Sequence, residues 1–320
     1  MRRNAVHPLV ALSIVTLLVS AGCRSGGIPL LNLFGVGKPL VVALVADEGG
    51  STSGSPLELL NPFAPYEPLR KALSEHAGRQ VALDLCLPIQ VKPNLGLGFY
   101  HLAVISPIQY GQLGDRERFR VIAVSADEQR RSARSGLLVV RHDSDVRAVQ
   151  DLRGKKVAFG PARDARTHHA GLELLKRNGL AKSDLALELL PIPGSLRRFS
   201  DTRSLARSVL NGSCDAGFID EQAWEALPEH DEREGEPARD RLRIVAKTLA
   251  VPDRLIVCSP KLPEADGEKV RQFLLAAAQD HPEILRPLRI SGYQEPSAEL
   301  LDACRRLVEP KSSAPESPAE

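Results

Sequence analysis

Residues 159–171 read FGPARDARTHHAG, preceded by DLRGKKVA and followed by LELLKRNGL. An apolar run that stops at Gly-Pro, a polar turn, and then leucines at helical spacing specify a strand, a loop and a helix entrance, in that order. The first N–H groups of a helix have no intrahelical partner, so such an entrance draws an anion, whether from a ligand or from a side chain. Asp164 stands where an N-cap is expected and would supply that anion from within.

Outward from this turn the same alternation recurs. LVVALVA (40–46), VALDLCL (81–87), HLAVISP (101–107) and FRVIAVSA (119–126) read as strands, and PYEPLRKALSEHAG as a helix closed by Gly78. From Gly136 the pattern starts again with LLVVR, KKVAF, LALELLPI, DAGFI and LRIVAKTL as strands. Helices are expected at 170–178, 204–210 and 221–227. RLIVCSP and helices at 267–279 and 297–308 close the chain. Continuous apolar strands alternating with helices predict an α/β protein with mostly parallel sheets flanked by helices. Ligands of such sheets bind beyond the carboxyl ends of the strands.

Composition narrows the function. The 320 residues are 43% hydrophobic and 26% charged, enough for one large core or two medium ones. A net charge of +2 and 4% aromatic residues exclude an electrostatic or stacking case for nucleic acid. No GxSxG, Walker loop, Cys/His nucleophile pair or metal-ligand spacing is present, so neither an enzyme nor a metal or cofactor site is expected. His168 and His169 are adjacent, which sets them about 100° apart on a helix and argues against joint chelation. One histidine facing a cleft and titrating near neutral pH is the expectation. The charged run DEREGEPARDR (231–241) reads as a solvated loop, as does DEGGSTSGSP (47–56).

The N-terminus carries Arg2 and Arg3, an apolar run from Pro8 to Val19, and Ser20-Ala21-Gly22-Cys23. This resembles a bacterial lipoprotein signal, with residues before Cys23 removed and Cys23 lipidated; an ordinary secretory signal or a membrane anchor is the alternative. Residues 24–37 then read as a tether and 309–320 as a tail. Cys86, Cys214, Cys258 and Cys304 remain, as disulfides or as buried thiols.

Four stretches in order, PYEPLRKALSEHAGRQVAL, GFYHLAVISPIQYGQL, DLRGKKVAFGPARDARTHHAGLELLKRNGL and VLNGSCDAGFIDEQAW with AVPDRLIVCSPKL, resemble the phosphate, phosphite and phosphonate solute-binding proteins of ABC transporters. The resemblance implies the two-lobed periplasmic-binding-protein fold with the ligand between the lobes. Lobe I is then expected from 38–135 and 251–308, and lobe II from 136–250, with crossings near Ser135-Gly136 and Ala250-Val251-Pro252. It also implies a small anionic solute, an ABC permease and ATPase as partners, a membrane contact through the lipid anchor, a location facing the periplasm or cell exterior, and a monomer.

In that family the loop after the strand resembling KKVAF reads Ser-Thr-Ser-Gly. Here the matching positions are Asp164-Ala165-Arg166-Thr167, one hydroxyl in place of three. A capping Asp164 would take the same N–H groups as a phosphonate and repel it, by roughly 4 kcal/mol at about 4 Å in an effective dielectric near 20. Arg166, with His168 beside it, offers a guanidinium grip on an oxyanion instead. Other cleft residues implied by the resemblance are Tyr66, Ser106, Gln109, Tyr110 and Asp220, the last able to read a cationic group or to cap the helix EQAWEAL. A sensory or scaffold lipoprotein with a diverged cleft and a protein partner is the alternative function.

Overall fold

The computed structural model describes residues 38–45, 61–114, 118–188, 193–227 and 239–308. The signal, Cys23, the tether, the 47–56 loop, residues 231–238 and the tail lie outside them.

Strand β1 (Leu40–Val45) is followed by α1 (Glu67–Ala77), which stops where Gly78 takes φ 64° and its N–H reaches Glu75 O. Next come β2 (Val81–Cys86), α2 (Pro88–Leu97), β3 (Leu102–Ile105), α3 (Pro107–Gln112) and β4 (Arg120–Ala126). The chain then crosses to β5 (Gly136–Arg141), β6 (Val157–Phe159), α4 (Ala170–Arg177), β7 (Arg197–Arg198), α5 (Thr202–Leu210), β8 (Ala216–Asp220), α6 (Glu221–Glu225) and β9 (Leu242–Lys247). It returns through β10 (Leu255–Cys258), α7 (Glu264–Asp280), β11 (Gly292–Gln294) and α8 (Ala298–Arg306).

Two sheets result, ordered β11-β4-β10-β3-β1-β2 and β7-β6-β8-β5-β9. The α/β class with two helix-flanked sheets is as expected. Most strands in each sheet share a direction, with β1 parallel to β2 and β3, and β6 parallel to β7 and β8. The exceptions are informative. β10 runs antiparallel to β3 and β4, β11 antiparallel to β4, and β5 antiparallel to β8 and β9. Of these, β10 and β5 follow a direct crossing from the other sheet, so each enters from the end where its neighbours leave. Parallel entry would need a long looped connection. The expected strand LALELLPI is absent from its described part, 185–188, which follows a 3₁₀ turn at Lys182–Asp184 and in which Glu188 only bridges Ser195.

Each sheet is buried on both faces. Leu40, Val42, Val81, Leu102 and Ile256 pack under Leu73 of α1 and Val270, Phe273 and Leu274 of α7. Ala43, Ile105, Val124 and Val257 pack against Val91 and Leu95 of α2, Tyr110 of α3 and Cys304 of α8. In the second sheet Leu138, Val140 and Phe159 meet Leu174 and Leu175 of α4, while Leu137, Val139 and Ala158 meet Leu205 and Val209 of α5. The sequence reading misses α2 and α3, because PIQVKPNLGL carries an interior Pro93 and Gly96. Proline at the first helical position and inward Val91 and Leu95 make that segment helical all the same. The four described cysteines are free and buried, and burial pushes Cys86 and Cys258 up to about 11 and Cys304 to about 12.

Candidate ligand cleft

Where the chain crosses between sheets, Arg134 and Val251 form an isolated antiparallel bridge, with N–H to O distances of 3.0 and 2.9 Å. Beside it Gly136 donates to Thr248 Oγ1 at 2.8 Å. A Cβ on Gly136 would lie 2.5 Å from Arg166 O, so the absence of a side chain lets the 165–169 turn close onto the crossing.

That turn is the one on which the fold was read. β6 ends at Phe159, and residues Ala165–His169 form a single wide π-helical turn before α4, with His169 N–H on Asp164 O at 3.1 Å. Asp164 Oδ1 accepts from Arg166 N at 2.9 Å, Thr167 N at 2.6 Å and Thr167 Oγ1 at 2.7 Å. The helix entrance is thus already occupied by its own carboxylate, as a capping Asp164 would require. Gly160 makes room for it, since a Cβ there would stand 1.9 Å from Thr167 Oγ1.

A cleft of about 1030 Å³ opens between the two sheets, lined by Ser106 from the first, by Gly160, Asp164, Arg166, Thr167 and Asp220 from the second, and by Arg134 and Asp253 from the crossings. Its centre is an ion-pair network. Arg134 Nη2 donates to both oxygens of Asp253 at 3.0 Å, and its Nη1 lies 3.5 Å from Asp220 Oδ1 and bonds Gln222 Oε1. Arg166 Nη1 donates to Asp220 Oδ2 at 3.1 Å and its Nη2 bonds Asp253 Oδ1. Asp127 approaches Arg134 Nε from behind at 3.7 Å. Both arginine side chains are buried, whereas that of Asp253 is 36% exposed. The Nε of each arginine is buried without a hydrogen-bond partner. Burial alone would raise the Asp253 carboxyl; Arg166 and then Arg134 outweigh it and bring it from 3.8 down to about 2. Burial works against the Arg166 cation, yet Asp253 and Asp220 leave its proton held more tightly than usual.

Two arginines and two aspartates thus make a charge-balanced quartet in which bidentate geometry replaces the solvation lost by the buried guanidinium groups, while Asp253 stays partly exposed. Asp220 also caps α6, accepting from Gln222 N at 2.9 Å, as the capping alternative expected, and its other contacts are with Arg166 and Arg134 of the protein itself. Arg134 and Asp253 were not singled out in the sequence. The available signal was position, since both flank the crossings, where any interlobe cleft must be lined.

The remaining expected residues divide. Ser106 lines the cleft and caps α3, its Oγ accepting from Gln109 N at 3.3 Å. Gln109 turns back to bond Ser106 N at 2.8 Å and is buried. Tyr110 is 2% exposed, in the core under α8, because its position one residue on points at the sheet. Tyr66 lines a separate cavity of about 190 Å³ with Val104, Ser125 and Tyr293. His168 does not face the cleft. It packs edge-on against Phe159 at 5.6 Å, and burial, aided by His169 and Arg198, lowers it to about 4. His169 is lowered too, chiefly by burial, and bonds Ala162 O. The expectation of a cleft-facing ring titrating near neutral pH is therefore corrected for His168, which is buried where charge is costly. Among the described residues no group of His, Cys, Asp or Glu could hold a metal ion.

Two helix-flanked sheets, two short crossings and a cleft at the strand ends define a binding protein of the two-lobed periplasmic class. The chain belongs to the family described as ABC transporter, phosphonate, periplasmic substrate-binding protein, which matches residues 63–301. The family is one of extracytoplasmic transport receptors rather than enzymes. Among solved structures, XAC2383 from Xanthomonas citri bound to chloride ion is 19% identical with TM-score 0.60, covering 84% of this chain and 98% of its own. PhnD1 from Prochlorococcus marinus in complex with methylphosphonate is 15% identical with TM-score 0.55, covering 84% and 97%. A binding protein component of an ABC phosphonate transporter from Pseudomonas aeruginosa is 17% identical with TM-score 0.51, covering 84% and 85%. At these identities the likeness is one of fold. No curated protein matches the chain.

Proposed function

We propose that the protein is a lipid-anchored solute receptor, held at the membrane through Cys23, that takes a small oxyanion such as phosphate, phosphite or a phosphonate and delivers it to an ABC permease and its ATPase. Lobe I comprises 38–135 and 251–308, lobe II 136–250, and ligand contacts on both favour the closed arrangement. One observation carries the ligand class: two buried guanidinium groups from different parts of the cleft converge on Asp253, the most exposed member of their quartet. An oxyanion that displaces this carboxylate inherits a two-arginine grip without the hydroxyl cradle.

A second reading is favoured by Asp164, whose carboxylate already holds the turn's N–H groups. Under it the anion position is filled by the protein's own carboxylate and the lipoprotein serves as a sensor or scaffold for a protein partner. Titration calorimetry of the full chain against phosphate, phosphite, methylphosphonate and aminoethylphosphonate separates the two. Saturable binding abolished by Arg166→Gln fits the receptor; no heat with any of them at millimolar concentration leaves the scaffold reading.

A further inference from the structure

Helix α2 is apolar on both sides. Val91 and Leu95 are buried, while Ile89, Pro93 and Leu97, spaced four apart on the opposite side, are exposed. Ile89 is 82% and Leu97 66% exposed, with Leu87 and Phe99 at 55% and 63% at the two ends of the helix. Leu85, on the edge strand β2, is also exposed. A surface helix ordinarily places charges on its outer side, and a run of exposed large apolar residues marks an interaction surface. Between residues 85 and 99 the single charged residue is Lys92, which is exposed.

Where the chain enters the fold and the charge beside the patch point to its partner. His101 N–H donates to Val41 O at 2.9 Å and His101 Nδ1 accepts from Val41 N at 3.0 Å, so β1 begins at the Phe99 end of the patch. Fifteen residues separate Cys23 from Pro39, a span of at most about 58 Å. The stem of exposed Lys261 lies over Gly98, its Cβ 2.9 Å from where a glycine Cβ would be, so a second lysine is rooted beside the Leu97–Phe99 end of the patch. Apolar side chains flanked by lysines match the boundary between anionic headgroups and acyl chains.

We infer that the exposed side of α2, with Leu85, Leu87 and Phe99, rests on an anionic lipid bilayer and orients the protein there; the distance argument rests on the Cys23 anchor proposed above. The test uses the full-length protein, as produced with its signal processed, in vesicles of phosphatidylglycerol and phosphatidylethanolamine with brominated acyl chains. Phe99→Trp supplies the probe, and native Trp224, on α6 beside the second sheet, serves as the internal control. Insertion at the headgroup boundary is expected to quench about half of the added fluorescence and leave Trp224 unchanged. Ile89→Ser with Leu97→Ser in the same chain should relieve that quenching; both side chains are exposed, and a thermal melt confirms folding. Protein that floats with the vesicles while the added tryptophan stays bright overturns the inference, as does cross-linking of position 89 to a membrane protein without quenching. The mass of the N-terminal peptide reports the anchor separately. Unlipidated protein that is still quenched supports the surface and sinks the anchor, whereas unlipidated protein that does not float sinks both.

Discussion

Replacing Asp253 by asparagine removes one charge from the quartet while keeping shape and an acceptor oxygen. The fall of its carboxyl from 3.8 to about 2 corresponds to about 2 kcal/mol at 1.36 kcal/mol per unit. Because the side chain is about a third exposed, screening reduces this to about 1–2 kcal/mol. The folded-state value is depressed, so the stabilisation is complete above about pH 4 and is lost as pH falls through about 2. Asp253→Asn should therefore lower Tm by roughly 2–8 °C at pH 7 and flatten the wild-type loss of stability in that acid window. Anion affinity should move the other way. A carboxylate about 5 Å from a bound oxyanion repels it by roughly 3 kcal/mol at an effective dielectric of 20. With half of that screened, Asp253→Asn should tighten phosphate or methylphosphonate binding roughly tenfold. Calorimetric titration of both proteins at fixed salt reads the change. Equal or weaker anion binding by the variant would refute the idea that Asp253 occupies the anion's place.

The remaining predictions concern the turn and the core. Gly160→Ala forces a methyl group onto Thr167 Oγ1 and should cost about 1–3 kcal/mol in denaturant unfolding, most of it returned by adding Thr167→Ala. His168 is lowered from 6.5 to about 4, so the unfolded chain takes up its proton first and stability falls as pH drops from 6.5 towards 4, by up to about 3 kcal/mol. His168→Gln should flatten that slope in pH-dependent unfolding. Cys86, Cys214, Cys258 and Cys304 should resist a water-soluble thiol reagent in the native state and react together on unfolding; fast labelling of any one would contradict its burial.

Most strands were legible because their apolar runs are short, continuous and bounded by turn residues, whereas β7 and β11, two and three residues long, carry no such run. Asp164 was legible as a cap because spacing to N–H groups is a local property. α2 was not, since its helix depends on Val91 and Leu95 finding the sheet, a tertiary gain that outweighs Pro93. Tyr110 and Gln109 were set on the wrong side for a related reason. Proximity to a strand end names the loop, but the α3 cap at Ser106 decides which side chain turns outward. The Arg134–Asp253 pairing was hidden by its separation along the chain, 119 residues, which no local pattern spans.

Arg134 occupies two structures at once. Its peptide group forms the bridge to Val251, and its guanidinium holds Asp253, two residues beyond Val251 on the opposite crossing. Side-chain contact and backbone bridge consequently coincide in one residue on the first crossing and are separated only by Pro252 on the second. A solute that draws the guanidinium off Asp253 loosens or tightens the same short loop of covalent and hydrogen bonds through which the lobes are joined. Amide exchange at Val251 therefore reports occupancy of the cleft without any label in it.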